Sequence, residues 1–522
     1  MDNTDFVVHP FVKKETIQKR LYQELLTAEA IKQSTLVVAP TGLGKTIVAV
    51  LLIAYTYNPK KSIILLSPTK PLIAQHKKSI LKFLEIPEEK IILLTGETTQ
   101  EKRKAMYDGQ GLVICATPQT IQYDLEKKLI NPDNFNLVIF DEAHRAVGSY
   151  SYTFISQYFS EDVKRLGLTA SPGSSKAKIQ EVAENLGIKH IEIRTEQDLD
   201  VADYVNDIEV DINFLELDSL SKEISKTIDN YIQHKIEILR KLGCPIPNNY
   251  SKKQIIAIQA GLFERVKRAK NNIGFIAISA IASVLKFLHA KELIETQGFF
   301  ATETYLLKLK KESQEKKSKA LSAIVNSSEF VEVLKLLEKA ITKRCAKEIA
   351  LLEIVSSFLK ENPKSRILVF NNYRDNANHL VEVLNQTAEI KSARFVGQAS
   401  KSLSDKGLSQ KNQTKIISEF REGLYNVLVC TSVGEEGLDI PSVDLVVFYD
   451  AVASEIRNIQ RRGRTGRFNV GKVILLLNKD TIDEKYYFVS QNKEKKMKSI
   501  LKNFHKPVTT RKKKEQKKIS DY

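Results

Sequence analysis

Between residues 35 and 215 short apolar runs alternate with amphipathic stretches. The runs are TLVVA (35–39), SIILLS (62–67), KIILL (90–94), LVICA (112–116), NLVIFD (136–141) and RLGLTA (165–170), with helix-like segments such as 71–84 and 175–187 between them. Continuous apolar runs of this length, separated by helical spacing, predict a parallel sheet covered by helices on both faces. The same style returns at 345–490 with RILVFN (366–371), SARFV (392–396), NVLVC (426–430), DLVVFY (444–449) and KVILLL (472–477). Two α/β domains follow from this, at 1–215 and 344–490. From 216 to 343 Lys, Glu, Leu, Ile and Ala recur at helical spacing, broken most clearly at GCPIPNN (243–249), which predicts an all-helical insert. Residues 491–522 contain the run RKKKEQKK (511–518) and read as a basic tail, disordered in its last part.

A chain of 522 residues is too long for a single core. Its net charge of +17 is unevenly placed: −3 over 1–215, +8 over 216–343, +3 over 344–490 and +9 over 491–522. Basic charge gathered in an insert and a tail fits a polyanionic partner, though a solvated helical face and a solubilising tail fit it too. Cys115, Cys244, Cys345 and Cys430 stand apart, without a CxxC pair, so buried thiols are expected in place of zinc or disulfides. No basic-then-apolar leader opens the chain, and no stretch approaches the roughly 20 uninterrupted apolar residues of a membrane span. The expectation is a soluble cytoplasmic, nucleoid-associated protein with no membrane partner.

The chemistry lies at the ends of the apolar runs. APTGLGKT (39–46) follows TLVVA and precedes IVAVLLIAY, the strand–loop–helix setting of a phosphate loop. Thr41, Gly42, Leu43 and Gly44 offer backbone N–H groups to phosphate oxygens, Lys45 reaches the terminal phosphates and the Thr46 hydroxyl takes magnesium. FDEAH (140–144) closes the run NLVIFD: Asp141 is suited to hold Mg2+ and Glu142 to orient and deprotonate the attacking water. IQRRGRTGR (459–467) presents Arg464 and Arg467 three apart after glycines, placed on the second domain to stabilise charge on the transferred phosphoryl group. Hydrolysis of ATP would then require the two domains to close.

In order, APTGLGKT, SPTKPL (67–72), TPQT (117–120), DEAH, LTASPG (168–173), TSVGEEGLDIP (431–441) and QRRGRTGR resemble the motif series of superfamily 2 helicases, across about residues 15–490. FDEAHRAVGSY, LTASPGS, FVGQASK (395–401), GLSQ (407–410) and TSVGEEGLDIPSVDLVVFY further resemble the Hef/Fanconi anaemia group M family. The resemblance implies two RecA-like motor domains with the helical insert between them. A similar insert marks the related innate immune RNA sensors and Dicer helicases. It implies that Arg20, Tyr22 and Gln23 recognise adenine, that His144, Thr169, Ala170 and Ser171 couple hydrolysis to the second domain, and that Gly437, Asp439 and Gln460 reach the nucleotide from that domain. It also places Thr69, Lys70, Thr117, Gln119, Asn371 and Thr431 in segments that line the nucleic-acid path.

The implied activity is an ATP-dependent helicase or translocase on forked or branched DNA, moving 3′ to 5′. A double-stranded-RNA-stimulated ATPase and a non-catalytic scaffold remain as alternatives. In the insert, KKQIIAIQAGLFERVKRAK (252–270), including Lys267 and Arg268, reads either as a DNA clamp or as helices packed with a solvated face. Full-length Hef is a fusion to a nuclease with an ERK triplet; FERVKR (263–268) lacks that triplet, so no nuclease is expected here, and a separate nuclease or replication protein is an expected partner.

Overall fold

A computed structural model describes all residues except 1–4, 174, 205–207, 269–271, 317–318, 341, 399–406, 432–433, 435–439, 453, 455–470 and 505–522. The first part of the chain runs α1 (Leu21–Lys32), β1 (Thr35–Val38), α2 (Lys45–Thr56), β2 (Ser62–Leu66), α3 (Lys70–Phe83), β3 (Ile91–Leu94), α4 (Gln100–Tyr107), β4 (Val113–Ala116), α5 (Pro118–Glu126), β5 (Phe135–Asp141), α6 (Ser151–Tyr158), β6 (Lys164–Thr169), α7 (Lys176–Asn185) and β7 (His190–Ile193). Its strands form one parallel sheet in the order β3-β4-β2-β5-β6-β1-β7. The apolar runs that predicted it are buried on both faces. Val37, Ile63 and Leu65 point into one core, and Leu36, Val38, Ile64 and Leu66 into the other. That two-sided burial is why the runs carry no polar alternation.

The next strand, β8 (Ile208–Leu215), ends the segment expected as the first domain. It lies at the edge of the second sheet, parallel to a strand that begins at Gly471, with Ile208 opposite Gly471 and Leu215 opposite Asn478. Its sequence IEVDINFL alternates apolar and polar residues, as an edge strand does, and nothing local says which sheet it joins.

The insert comprises α8 (Ser219–Lys241), α9 (Lys252–Arg268), α10 (Asn272–Thr296), α11 (Phe299–Lys316), α12 (Lys319–Val325) and α13 (Ser328–Glu338). Asp218 caps α8 by accepting from the Ser221 N–H at 2.9 Å, and Ile224, Ile228, Tyr231, Ile232, Ile236 and Leu239 form its buried stripe. Tyr231 stacks on Phe287 of α10 at 3.8 Å between ring centroids. By length and composition Ile273–Thr296 is long and apolar enough to cross a bilayer, contrary to the expectation that no stretch approaches that length. Here Ala277, Ile281, Val284, Phe287, Ala290 and Ile294 of this helix pack in the insert core.

The chain then returns through α14 (Ala346–Glu361), β9 (Ile367–Phe370), α15 (Arg374–Leu384), β10 (Ser392–Phe395), α16 (Gln410–Glu422), β11 (Val427–Cys430), β12 (Leu445–Phe448), β13 (Gly471–Asn478) and α17 (Ile482–Phe504). The sheet order is β10-β11-β9-β12-β13-β8. The two parallel-sheet domains and the helical bundle between them are the architecture the sequence predicted. Residues 491–504, the first part of the segment expected as a tail, continue α17, whose Met497 and Leu501 are 3% and 7% exposed in the core of the first domain. Lys493, Lys495, Lys496, Lys498 and Lys502 surround the i, i+4 pair Met497–Leu501 and hide it in the sequence. Cys115, Cys244, Cys345 and Cys430 are free, buried thiols, as expected.

Candidate nucleotide site

Three neighbouring strands, β5, β6 and β1, end at the same sheet edge and carry the candidate chemistry. After β1 the loop turns through Gly42 (φ +89°) and Gly44 (φ +67°), a conformation that favours glycine. A Cβ on Gly44 would meet Gln23 Nε2 at 2.7 Å. Gln23 Nε2 and the Tyr22 hydroxyl both donate to Leu43 O, at 3.1 and 2.9 Å, so the residues expected to recognise adenine brace the phosphate loop from behind. Arg20 lies 4.8 Å from the ring centre of Tyr204 and 3.4 Å from the Tyr22 hydroxyl. Lys45 Nζ donates to Ala39 O (2.8 Å) and Pro40 O (2.9 Å), which holds the ammonium over the loop that Thr41 and Thr46 complete.

At the end of β5, Asp141 Oδ2 accepts from Ser67 Oγ and lies against His76 Nε2, each at 2.9 Å. Burial works against the charged carboxylate, but His76 and Ser67 outweigh it and hold Asp141 below the usual carboxylate range. The Tyr152 hydroxyl donates to Asp141 O at 2.6 Å; burial beside Asp141 pushes that phenol up, which keeps it a donor. Neither Ser67 nor His76 was among the predicted site residues. His76 sits six residues along α3 from Lys70, and nothing in its spacing points to Asp141.

Glu142 is held at φ 50°, ψ 48°, in the left-handed region although it is not glycine. Such a residue stores about 1–3 kcal/mol of strain and persists where its surroundings fix it, a pattern concentrated at functional sites. Its Oε2 lies 3.3 Å from His144 Nδ1, which lies 3.2 Å from Thr169 Oγ1. Thr169 Oγ1 accepts from the Ser171 N–H at 3.1 Å, and the Ser171 hydroxyl donates to Met497 Sδ at 3.0 Å. The four predicted coupling positions thus lie on one path, with Ala170 between Thr169 and Ser171, and the path ends on α17.

The strand-path residues occupy the C-terminal ends of β2, β4, β9 and β11. Thr69 and Lys70 follow β2, and Thr117 and Gln119 follow the adjacent β4. The Thr69 hydroxyl is buried without a partner among the described residues, Lys70 is paired with Glu97 at 2.6 Å, Thr117 shares a 2.8 Å hydrogen bond with Thr120, and Gln119 is exposed. On the second sheet Asn371 and Thr431 follow the adjacent β9 and β11 but are 0% and 4% exposed. Asn371 donates its amide to Gln297 Oε1 at 2.8 Å, and its carbonyl oxygen accepts from the Tyr373 N–H at 2.7 Å. Lys267 is exposed and paired with Glu264 at 3.4 Å, while Lys252 of the same helix is drawn to Glu292 at 2.8 Å. Gly437, Asp439, Gln460, Arg464 and Arg467, and the Arg268 side chain, lie outside the described residues.

Three families match successive parts of the chain: "Type III restriction enzyme, res subunit" at 12–174, "Putative ATP-dependent RNA helicase, helical bundle" at 220–364 and "Helicase conserved C-terminal domain" at 346–469. A Methanocaldococcus jannaschii protein named "Putative ATP-dependent RNA helicase" is 40% identical over 95% of this chain and 62% of its own length. The ATP-dependent DNA helicase MPH1 of Pyricularia oryzae is 35% identical over 92% of this chain and 45% of its own. The chain therefore spans about half to two thirds of the length of these relatives. The crystal structure of the Pyrococcus furiosus Hef helicase domain superposes with a TM-score of 0.68 at 40% identity, covering 92% of this chain and all of that one. A phosphate loop and a DEAH strand on one sheet edge, a helical bundle between two parallel sheets and this degree of identity place the chain in the superfamily 2 helicase family of Hef, MPH1 and FANCM.

Proposed function

We propose that the chain is an ATP-driven motor acting on forked or branched DNA, in replication-fork repair and recombination. The observation that supports it best is the path Glu142–His144–Thr169–Ser171–Met497, which leads from the position of an attacking water to a helix rooted in the second domain. In this reading Lys45 and the N–H groups of Thr41–Gly44 hold the phosphates, Glu142 is the general base, Gln460, Arg464 and Arg467 complete the γ-phosphate site on closure, and Gly437 and Asp439 contact the nucleotide. Mg2+ fits the donor set, because Asp141 stays ionised and Thr46 offers a hydroxyl oxygen, both hard ligands. The ion would neutralise phosphate charge there.

DNA as the substrate is supported by the printed name of the Pyricularia oryzae relative; the Methanocaldococcus jannaschii and Arabidopsis thaliana relatives are named as RNA helicases, which favours a double-stranded-RNA-stimulated ATPase as the second reading. The scaffold reading fits poorly with Lys45, Asp141 and Glu142 all in place. ATP hydrolysis is measured alone and with single-stranded DNA, forked DNA and double-stranded RNA at one salt concentration, since phosphate contacts are salt-dependent. Strongest stimulation by the fork supports the proposal. Stimulation by RNA alone favours the second reading, and no hydrolysis under any condition sinks both.

A further inference from the structure

Where the insert's central helix α10 ends, the chain plunges into the second motor domain. Gln297, the residue after the helix, is 0% exposed, and both ends of its amide are used. Its Nε2 donates to Asp450 Oδ2 at 2.7 Å and to Thr296 Oγ1 at 3.3 Å. Its Oε1 accepts from Asn371 Nδ2 at 2.8 Å and Asn376 Nδ2 at 2.9 Å. The Tyr449 hydroxyl donates to its backbone carbonyl at 3.3 Å. Asn371 and Asp450 directly follow or lie just beyond β9 and β12, and the Asn372 N–H also donates to Asp450 Oδ2, at 2.9 Å. Only an amide satisfies this pocket, since one end must give a proton to a carboxylate and the other must accept two.

The neighbours of Gln297 repeat the theme. Glu295 O accepts from Asn478 Nδ2 at 2.7 Å and its carboxylate from the Ile482 N–H at 3.1 Å. Thr296 O accepts from Lys347 Nζ at 3.2 Å, and that ammonium is paired with buried Asp483. Gly298, at φ +90°, turns the chain where a Cβ would stand 2.6 Å from Cys345 Sγ. Asn376 Oδ1 and Asn478 Oδ1 make no hydrogen bond among the described residues, but the polar contacts that are made here are directional and favour one geometry.

We propose that Gln297 is a positioning residue: it reads the ends of β9 and β12 through Asn371 and Asp450 and fixes the angle at which the insert stands on the second motor domain. The insert then moves with that domain when it closes on nucleotide. Resting on the motor reading above, this makes Gln297 the element through which a nucleic acid held by the insert stimulates hydrolysis.

The test is a swap of donor and acceptor. Gln297→Glu places a carboxylate against Asp450, so the pair repels or must share a proton. Adding Asp450→Asn removes one of the two charges and restores a donor and an acceptor between positions 297 and 450 in reversed order, at the cost of the Asn372 N–H, which shares Asp450 Oδ2 with Gln297 in the parent chain. Spin labels at exposed positions 311 of the insert and 415 of the second domain report the angle without any substrate. The expected result is one narrow distance in the parent chain, a broad one in Gln297→Glu and a narrow one again in the double variant. In parallel, the ratio of fork-stimulated to basal ATPase falls by about tenfold in Gln297→Glu and recovers in the double variant, with basal turnover unchanged. A distance that stays narrow in Gln297→Glu overturns the proposal, as does a double variant that regains thermal stability but neither the distance nor the ratio. If Gln297→Glu does not fold, the double variant is compared with Asp450→Asn alone, and a broader distance in the double overturns it. A parent chain with no fork stimulation but the expected distances would defeat the functional reading and leave the positioning role standing.

Discussion

The Ser171 hydroxyl meets the Met497 sulfur at 3.0 Å across 326 residues of sequence, joining a motif beside the candidate ATP site to a helix whose first turn is buried in the other motor domain. At that first turn Asp483 is ion-paired with Lys347 and accepts from the Ala451 N–H at 3.0 Å. α17 is therefore anchored at both ends, and movement of one domain against the other has to pass through it or bend it.

Substituting Met497 separates that strut from general packing. Met497→Asp puts a charge in an apolar seat, which costs several kcal/mol unless α17 lifts off. The expected outcome is loss of nucleic-acid stimulation with basal hydrolysis retained, whereas Met497→Leu, of similar volume, keeps both. Equal stimulation in Met497→Asp and the parent chain would refute the strut.

Glu142→Gln keeps shape and loses basicity. ATP binding is expected to stay near the parent value while turnover drops about 10²–10⁴-fold, the usual worth of a positioned general base. Parent-like turnover would remove Glu142 from that role. Lys45→Ala, by contrast, is expected to weaken nucleotide binding itself.

His76→Ala leaves one oxygen of Asp141 with Ser67 as its sole side-chain partner. The magnesium concentration needed for half-maximal binding of a fluorescent ATP analogue is expected to rise about tenfold, with KM for the Mg–ATP complex changing less. His76→Gln, which can still donate, recovers part of the loss. An unchanged magnesium requirement in His76→Ala would mean the histidine only packs.

Glu292 provides the pH test. Burial raises its pKa, but hydrogen bonds from His289 and Lys252 and their charges more than reverse this and hold it at about 2 instead of 4.5. A depressed carboxylate stabilises the folded state above its unfolded pKa and loses that contribution as pH falls from about 4.5 to 2. The shift corresponds to about 3 kcal/mol at neutral pH. Glu292→Gln is expected to lower the thermal midpoint at pH 7 and to flatten its decline between pH 5 and 3; a decline as steep as the parent's would show that other carboxylates dominate.

Much of this was legible locally. Lys45, Asp141, Glu142 and Thr169 announce themselves because each follows or ends a short apolar run, and in a parallel sheet those run ends share one edge. His76 gave no such signal, since its partner Asp141 lies 65 residues away on a strand whose neighbours no local pattern names. The bond between the Asn371 amide and Gln297 was hidden for the same reason, since its partner lies 74 residues away.

The sequence by itself determined the elements, the two α/β domains, the helical insert and the phosphate loop, because hydrophobic period and turn chemistry act over a few residues. Tertiary structure alone decided that β8 joins the second sheet, that α17 crosses to the first domain, that His76 holds Asp141 and that Gln297 seats the insert. Each depends on pairing between groups far apart in the chain, where the choice among compatible partners is made by packing and by the cost of leaving a buried polar group unmet.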